Sequence, residues 1–348
     1  MKDLSQNSKE IELSEEKTES SSIISEEGKE VVKKDFIPHF FPTYTTKRKL
    51  YPIPIIIVVI IAGILAYLTH FEAGIQTEGL YFSESELGIL GGVLNGLIYT
   101  LIAVVSAFII IFIIKKKGIG VLMYIFGFSF GLVAFFQTWF FGEVIIYLLF
   151  STMPNLFWAF EFELIFFTFI LTIFMIYRYF TSKSIKTKNF IVLYIGLLIG
   201  ASMGVLLELW TTLAILIGIS CWDIFAVLYK HGPIKQLIDI ASKPEEDDAV
   251  SYEVLKEKIK SGEYKYDTSK LEIGIGDLAF YSMLTSSALV QTGNIIVMIL
   301  TSIAIILGTG ITISALKRNK ILPGLPISIF LGIGTMMLSW SLFIFVFV

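Results

Sequence analysis

Two aspartates stand inside otherwise apolar segments. Asp223 lies within Ser220-Cys221-Trp222-Asp223-Ile224-Phe225, and Asp277 within Gly274-Ile275-Gly276-Asp277-Leu278. An acid at the centre of a membrane helix costs about 2.5–3.5 kcal/mol on insertion scales, so it marks a functional position by default. Two carboxylates at close range share one proton. Such a pair can act as a coupled general base and general acid. One activates a water against a peptide carbonyl; the other protonates the carbonyl oxygen and then helps the amine leave. The pair titrates as a unit, so neither role belongs to one aspartate alone. Other uses fit the same two residues: a proton relay or cation site in a transporter, or two acids bonded to separate polar neighbours.

The composition makes the surrounding segments membrane helices. Of 348 residues, 55% are hydrophobic and only 16% are charged, and the mean hydropathy is +0.77. A soluble domain is nearer 45–50% apolar and about 25% charged. An ordinary soluble enzyme, a disordered protein and a fibrous repeat are excluded. The net charge of −3 gives no reason to expect a nucleic-acid partner. Cys221 is the single cysteine, and His39, His70 and His231 fall in different segments. Neither a disulfide framework nor a His- or Cys-rich metal site is expected, and no cofactor is implied.

Positive charge sets the number of spans. Residues 1–49 read as a polar cytoplasmic tail, disordered over roughly 1–35, ending in the anchor Lys47-Arg48-Lys49. Beyond it, Lys and Arg fall in four clusters: 115–117, 178–188, 230–270 and 317–320. If tail and clusters all lie inside, each stretch between them holds an even number of spans of about 20 residues. Residues 52–114 hold two, broken at the acidic stretch 71–87. Residues 118–177 hold two, broken near 142–154, with Glu143–Phe150 as an interfacial or re-entrant run. Residues 189–229 hold two, turning near Glu208. Residues 271–316 hold two, turning near Thr292-Gly293-Asn294, and 321–348 hold one. The expected fold is an all-α polytopic membrane protein of nine transmembrane helices, N-terminus cytoplasmic and C-terminus outside. The parts are the tail 1–49, helices one to six over 50–230, a cytoplasmic loop over 231–270, and helices seven to nine over 271–348. All 27 Lys and Arg then share one side.

This topology brings the two acids to one level. Asp223 is seven residues before Lys230 and Asp277 six after Leu271. At 1.5 Å per residue, both sit about 9–10 Å from the cytoplasmic end of consecutive antiparallel helices. Glu143, Glu161, Glu163 and Glu208 fall near span ends, where an interfacial position accounts for them. Asn95 and Gln137 are expected to bond to neighbouring helices. Glycines four apart (Gly88, Gly92, Gly96; Gly127, Gly131; Gly196, Gly200, Gly204) suit close helix packing inside the bundle.

Trp222-Asp223, Gly274-Ile275-Gly276-Asp277 and Leu322-Pro323-Gly324-Leu325-Pro326 occur in this order on spans six, seven and nine. They resemble the YD, GxGD and PAL motifs of the presenilin family of intramembrane aspartyl proteases. The likeness covers about residues 208–345 and extends through Gly232-Pro233, Leu278–Ser282 and Ile327-Ser328. Two positions depart from it: Trp222 replaces the usual Tyr, and Gly324 the alanine of PAL. The resemblance implies a presenilin-like bundle and an aspartic endopeptidase that cuts transmembrane segments with Asp223 and Asp277. It implies substrate contacts at Gly274, Gly276, Leu322, Pro323, Gly324 and Leu325, and substrates whose N-terminus is outside. Gly274 and Gly276 also leave room for another backbone beside Asp277. Ser269–Ile275 could be extended and add a substrate strand. Pro323 equally suits the first turn of a helix. Tyr281, one turn after Asp277, could bond to it or simply pack.

The expected partners are transmembrane-segment substrates and the bilayer, with either a homo-oligomer or no obligate partner. For a microbial source, the location would be the cell membrane. The competing function is a proton- or cation-conducting transporter or channel built on the same acids. A prepilin-type peptidase fits the nine spans and Leu322–Pro326 less well, and a non-catalytic scaffold leaves two costly acids without purpose.

Overall fold

A computed structural model of the chain describes residues 22–24, 30–32, 42–118, 120–229, 265–266, 270–316 and 324–347. In chain order the elements are β1 (Ser22–Ile24), β2 (Glu30–Val32), β3 (Thr43–Lys47), α1 (Pro52–Tyr67), a short α2 (Glu84–Leu87), α3 (Ile89–Lys117), α4 (Val121–Phe150) and α5 (Pro154–Thr181). Then come α6 (Ile185–Leu206), α7 (Leu209–Leu228), β4 (Lys265–Tyr266), β5 (Lys270–Gly274), α8 (Ile275–Thr292), α9 (Ile295–Leu316) and α10 (Leu325–Phe347). Contacts divide the chain into two units: residues 1–39 with 238–270, and residues 40–237 with 271–348. In the smaller unit, β2 pairs antiparallel with β1 and parallel with β4. Apart from β1, β2, β4 and Lys270, the expected disordered tail over 1–35 and the 231–270 loop lie outside the described residues.

The larger unit holds the helices. Its order begins earlier than the sequence suggests. Residues 43–47 are not tail but strand β3, followed by a 3-10 turn at Arg48–Leu50. Thr43-Tyr44-Thr45-Thr46 is a run of β-branched and aromatic residues, which suits a pleated strand. Arg48 fastens the turn by donating from Nη2 to the Ile313 carbonyl at 2.6 Å.

Eight of the described helices are long and apolar enough to cross a membrane: α1, α3, α4, α5, α6, α7, α9 and α10. The turns fall where charge and glycine placed them. Glu208 is the N-cap residue of α7, and Gly293, at φ 63°, closes α8 in the left-handed region. The expected seventh span is α8, which is not among the eight. It is less apolar because it is enclosed by protein. Ser282, Thr285, Ser286 and Ser287 are all fully buried in it. Small hydroxyl residues let neighbouring helices close in and bond locally. Ser282 Oγ donates to the Leu278 carbonyl at 2.9 Å and Ser286 Oγ to the Ala62 carbonyl at 3.2 Å.

One expectation about the third span is corrected. Glu143–Phe150 is not re-entrant; it is the last eight residues of one unbroken helix, α4. The segment contains no breaker before Met153-Pro154, and Pro154 starts α5 at the position where proline is tolerated.

The glycine spacings resolve into specific contacts. Gly127 and Gly131 face Phe180 and Ile176 of α5, and Gly92 and Gly96 face Trp210 and Ala214 of α7. Gly88 belongs to a turn instead, with φ 58° and nothing near its Cβ direction.

At the end of the bundle away from the lysine clusters, acidic residues act as helix caps. Glu208 Oε2 accepts from the Glu84 N–H at 2.9 Å. Glu84 in turn accepts from the N–H groups of Thr211 (2.6 Å) and Trp210 (3.2 Å) in the first turn of α7. Those N–H groups have no partner within the helix, so a carboxylate there satisfies them. Asn95 bonds as expected, to Thr211 Oγ1 at 3.1 Å and also to Tyr81 and Phe82 of the loop. Together these contacts fix the start of α7, and hence the level at which Asp223 emerges from its other end. The Gln137 Oε1, expected to bond a neighbouring helix, is buried with no hydrogen-bonding partner.

Candidate functional site

Asp223 lies one turn and a half before the end of α7, and Asp277 lies in the first turn of α8. The two carboxylates are within electrostatic reach of each other. Asp277 is held locally. Gly274 is the N-cap residue of α8, in an extended conformation at φ −65°, ψ 147°, and its N–H donates back to the Asp277 carboxylate. This is the acidic half of a capping box, in which a side chain at the third helical position satisfies the N-cap N–H. Asp223 is held from another element: its Oδ2 accepts the Leu325 N–H at 3.3 Å.

Leu325 opens α10, so a helix N-terminus points at Asp223. The preceding residue reaches the other acid. A Cβ built on Gly324 would lie 3.5 Å from Asp277 Oδ2. The Gly324-Leu325 segment therefore lies beside both carboxylates. Asp223, Asp277, Gly274, Gly324 and Leu325 thus lie close together, while Leu322 and Pro323 lie outside the described residues. Gly276 is in the first turn of α8, where its Cβ direction meets only the Phe280 ring at 3.7 Å. No other element's backbone is within 4 Å of the Cβ direction at Gly274 or Gly276. Close backbone approach is seen at Gly200 and Gly204, where α6 meets α8.

The spacing at Gly324 makes a prediction. A methyl group 3.5 Å from a carboxylate oxygen is ordinary van der Waals contact, and φ there is not in the left-handed region. Gly324→Ala is therefore expected to fold and act like the unmodified chain, within about twofold in rate and 0.5 kcal/mol in stability. Activity and thermal unfolding of the purified variant check this.

Sequence reasoning missed a hydroxyl cluster behind Asp277. Tyr281 does not bond to the acid. Its hydroxyl donates to Ser328 Oγ at 3.3 Å and accepts from Thr309 Oγ1 at 3.3 Å, while Thr309 and Ser328 are 3.0 Å apart. All three are buried, and they come from α8, α9 and α10. Gly308 lets α9 approach the Ser328 backbone so closely that a Cβ would fall 2.6 Å from Ser328 Cα. Tyr281 follows Asp277 by one turn and Ser328 follows Leu325 by nearly one, so the cluster locks the two acid-facing segments together. The i+3 and i+4 spacings were visible; Thr309 carried no signal. Tyr281→Phe keeps the Thr309–Ser328 pair and should lower stability by about 1 kcal/mol, read as a fall in Tm. Trp222 points elsewhere, packing on Phe108 of α3 with ring centroids 6.0 Å apart.

Among the described residues, no three His, Cys, Asp or Glu side chains gather so that they could hold a metal ion.

The helices and paired acids define a multi-pass integral membrane protein. The presenilin family model matches residues 51–254 and 243–347, and the chain belongs to the presenilin family. Presenilin-B of Dictyostelium discoideum is 39% identical over 127 residues, a stretch covering 36% of this chain and only 24% of that protein. A presenilin-like protein of Arabidopsis thaliana is 25% identical over 317 residues, covering 70% of this chain and 76% of its own length. The fold is similar to a solved structure of a presenilin family intramembrane aspartate protease, with a TM-score of 0.54 at 14% identity, over 85% of this chain and 99% of that one.

Proposed function

We propose that this chain is an intramembrane aspartyl endopeptidase. The observation that carries the reading is the proximity of both Asp223 and Asp277 to the Gly324-Leu325 segment, in a chain of the presenilin family. The ionised member of the pair takes a proton from water as the oxygen attacks the peptide carbonyl. The protonated member gives its proton to the carbonyl oxygen. The gem-diol then collapses as the amide nitrogen is protonated and the C–N bond breaks. The fragments leave as a carboxylic acid and an amine, and the pair is restored.

A transmembrane helix must first unwind, because its carbonyls are already bonded and shielded. An extended substrate backbone would lie beside Gly274 and Gly276, which carry no side chains of their own. Leu322, Pro323, Gly324 and Leu325 would grip it from α10. By the charge pattern, the N-terminus and the acid pair face the cytoplasm, and substrates enter with their N-terminus outside. The membrane would be the cell membrane of a microbe.

The test uses the purified full chain with a panel of single-span substrates in liposomes. Fragments are read by mass spectrometry. Cleavage within the span, near the cytoplasmic face, is the expected result. No cleavage of any substrate, together with proton or cation flux through the same liposomes, would overturn the reading in favour of a channel.

A further inference from the structure

Strand β5 already has a partner, and that partner is the chain's own N-terminal segment. β3 and β5 form a two-stranded sheet. The Ile275 N–H, just past the end of β5, donates to the Pro42 carbonyl, just before the start of β3, at 3.1 Å. An end meeting a beginning makes the pair antiparallel. In such a ladder the N–H and C=O of one residue point to the same side, and successive residues alternate sides. Ile275 faces β3, so Ile273 and Leu271 do too. Glu272 and Gly274 face the opposite edge. The Gly274 N–H is bonded to the Asp277 carboxylate, so that opposite edge is the one on the aspartate side.

The same alternation applies to β3. Pro42, Tyr44 and Thr46 face β5, and Thr45 faces away. Both backbone groups of Thr45 are taken by one side chain from α6. Its N–H donates to Asn189 Oδ1 at 2.8 Å, and Asn189 Nδ2 donates to its carbonyl at 2.6 Å. The Asn189 amide therefore stands in for a third strand. Ile273, between the two edge-facing residues, is buried among Ile195, Leu197, Leu198 and Leu278. β3 is thus fixed on one side by Asn189, at its end by Arg48 on Ile313, and by its own continuation into α1.

We propose that Thr43–Lys47 is a built-in strand that holds Leu271–Gly274 extended, with the edge that pairs with no strand among the described residues turned towards Asp277, and that Asn189 is a positioning residue for that edge. β3 occupies the edge away from the acids, so it does not compete with a substrate. It sets the register of the strand on which a substrate backbone would lie. The consequence for cleavage rests on the protease reading above; the strand pairing does not.

The experiment compares the full-length chain with Asn189→Ala and with Thr46→Pro, which removes an N–H facing β5. Hydrogen exchange of the peptide spanning 271–275 is measured beside that of α8, which reports the intact fold. Cleavage products, KM and kcat are measured in parallel. Exchange at 271–275 should quicken about tenfold or more in both variants while α8 stays protected. Cleavage should spread to neighbouring bonds, with KM rising more than kcat falls. Unchanged exchange at 271–275 in both variants overturns the built-in strand. Quickened exchange with an unchanged cleavage position and KM overturns the positioning role of Asn189. If the unmodified chain cuts nothing, the protease reading fails, and the exchange result still decides the strand.

Discussion

Asp223→Ala and Asp277→Ala are each expected to lower the cleavage rate by about ten-thousandfold, and the double variant to be no worse than either single one. The reason lies in how the two carboxyls share the work. One must be ionised to take a proton from water, and the other protonated to give one to the carbonyl oxygen. Removing either leaves a base without an acid, or an acid without a base. Groups that act as a unit give grossly non-additive losses, and about 10⁴-fold is typical for one member of such a set. The fold should survive. Among the described residues, Asp223 accepts one hydrogen bond, from the Leu325 N–H at 3.3 Å, and Asp277 accepts from the Gly274 N–H at the head of α8. Removing half-buried acids also relieves desolvation. Each variant should therefore unfold at a Tm no lower than that of the unmodified chain, the pattern of a site that trades stability for activity. Rates from fragment mass spectrometry and unfolding curves on the same preparations are the measurements. Additive losses in the double variant would show two independent acids rather than one pair.

The placement of the acids was legible because it follows from two strong signals. Lys and Arg clusters bound the apolar runs, and 1.5 Å per residue converts sequence distance to height along a helix. Asp223 and Asp277 needed nothing more. The turns at Glu208 and Gly293 were legible for the same reason: an acid and a glycine interrupt apolar runs between two clusters. Helix ends were not legible from parity. Parity says that residues 118–177 contain two spans, not where the first stops, and α4 runs on to Phe150 because nothing before Pro154 breaks it.

Contacts between distant segments were hidden for a different reason. Asn189 and Thr45 are 144 positions apart, and a side-chain amide bonding a strand backbone leaves no periodic trace. In the sequence, Glu84 is one acid of the stretch 71–87 and Glu208 an acid at a span end. Their exchange of caps becomes visible only when α2 and α7 begin side by side. The glycine spacing of α6 announced a close neighbour without saying which helix it was.

That neighbour is α8, and Gly200→Ala is expected to be the most damaging single methyl group in the described bundle. Gly196, Gly200 and Gly204 line one face of α6, which runs parallel to α8. A Cβ on Gly196 would lie 3.1 Å from the Ile275 carbonyl oxygen, while one on Gly204 would meet the Met283 carbonyl. One on Gly200 would strike the carbonyl oxygen of Ala279 and the Cβ of Ser282. These obstacles are helix backbone, which cannot rotate aside as a side chain can. α8 must move away, and Asp277 is two residues from Ala279. Overpacking of this kind costs about 1–3 kcal/mol. A displacement of about 1 Å at a reacting group can cost 10²-fold in rate. Gly200→Ala should therefore lower Tm and cut the cleavage rate by about a hundredfold. Gly334→Ala on α10 is the matched comparison, since nothing lies within 4 Å of its Cβ direction, and it should leave both quantities unchanged. Equal behaviour of the two variants would mean that the α6–α8 interface yields freely. The level of Asp277 would then be set by its other neighbours, the Tyr281–Thr309–Ser328 cluster first among them.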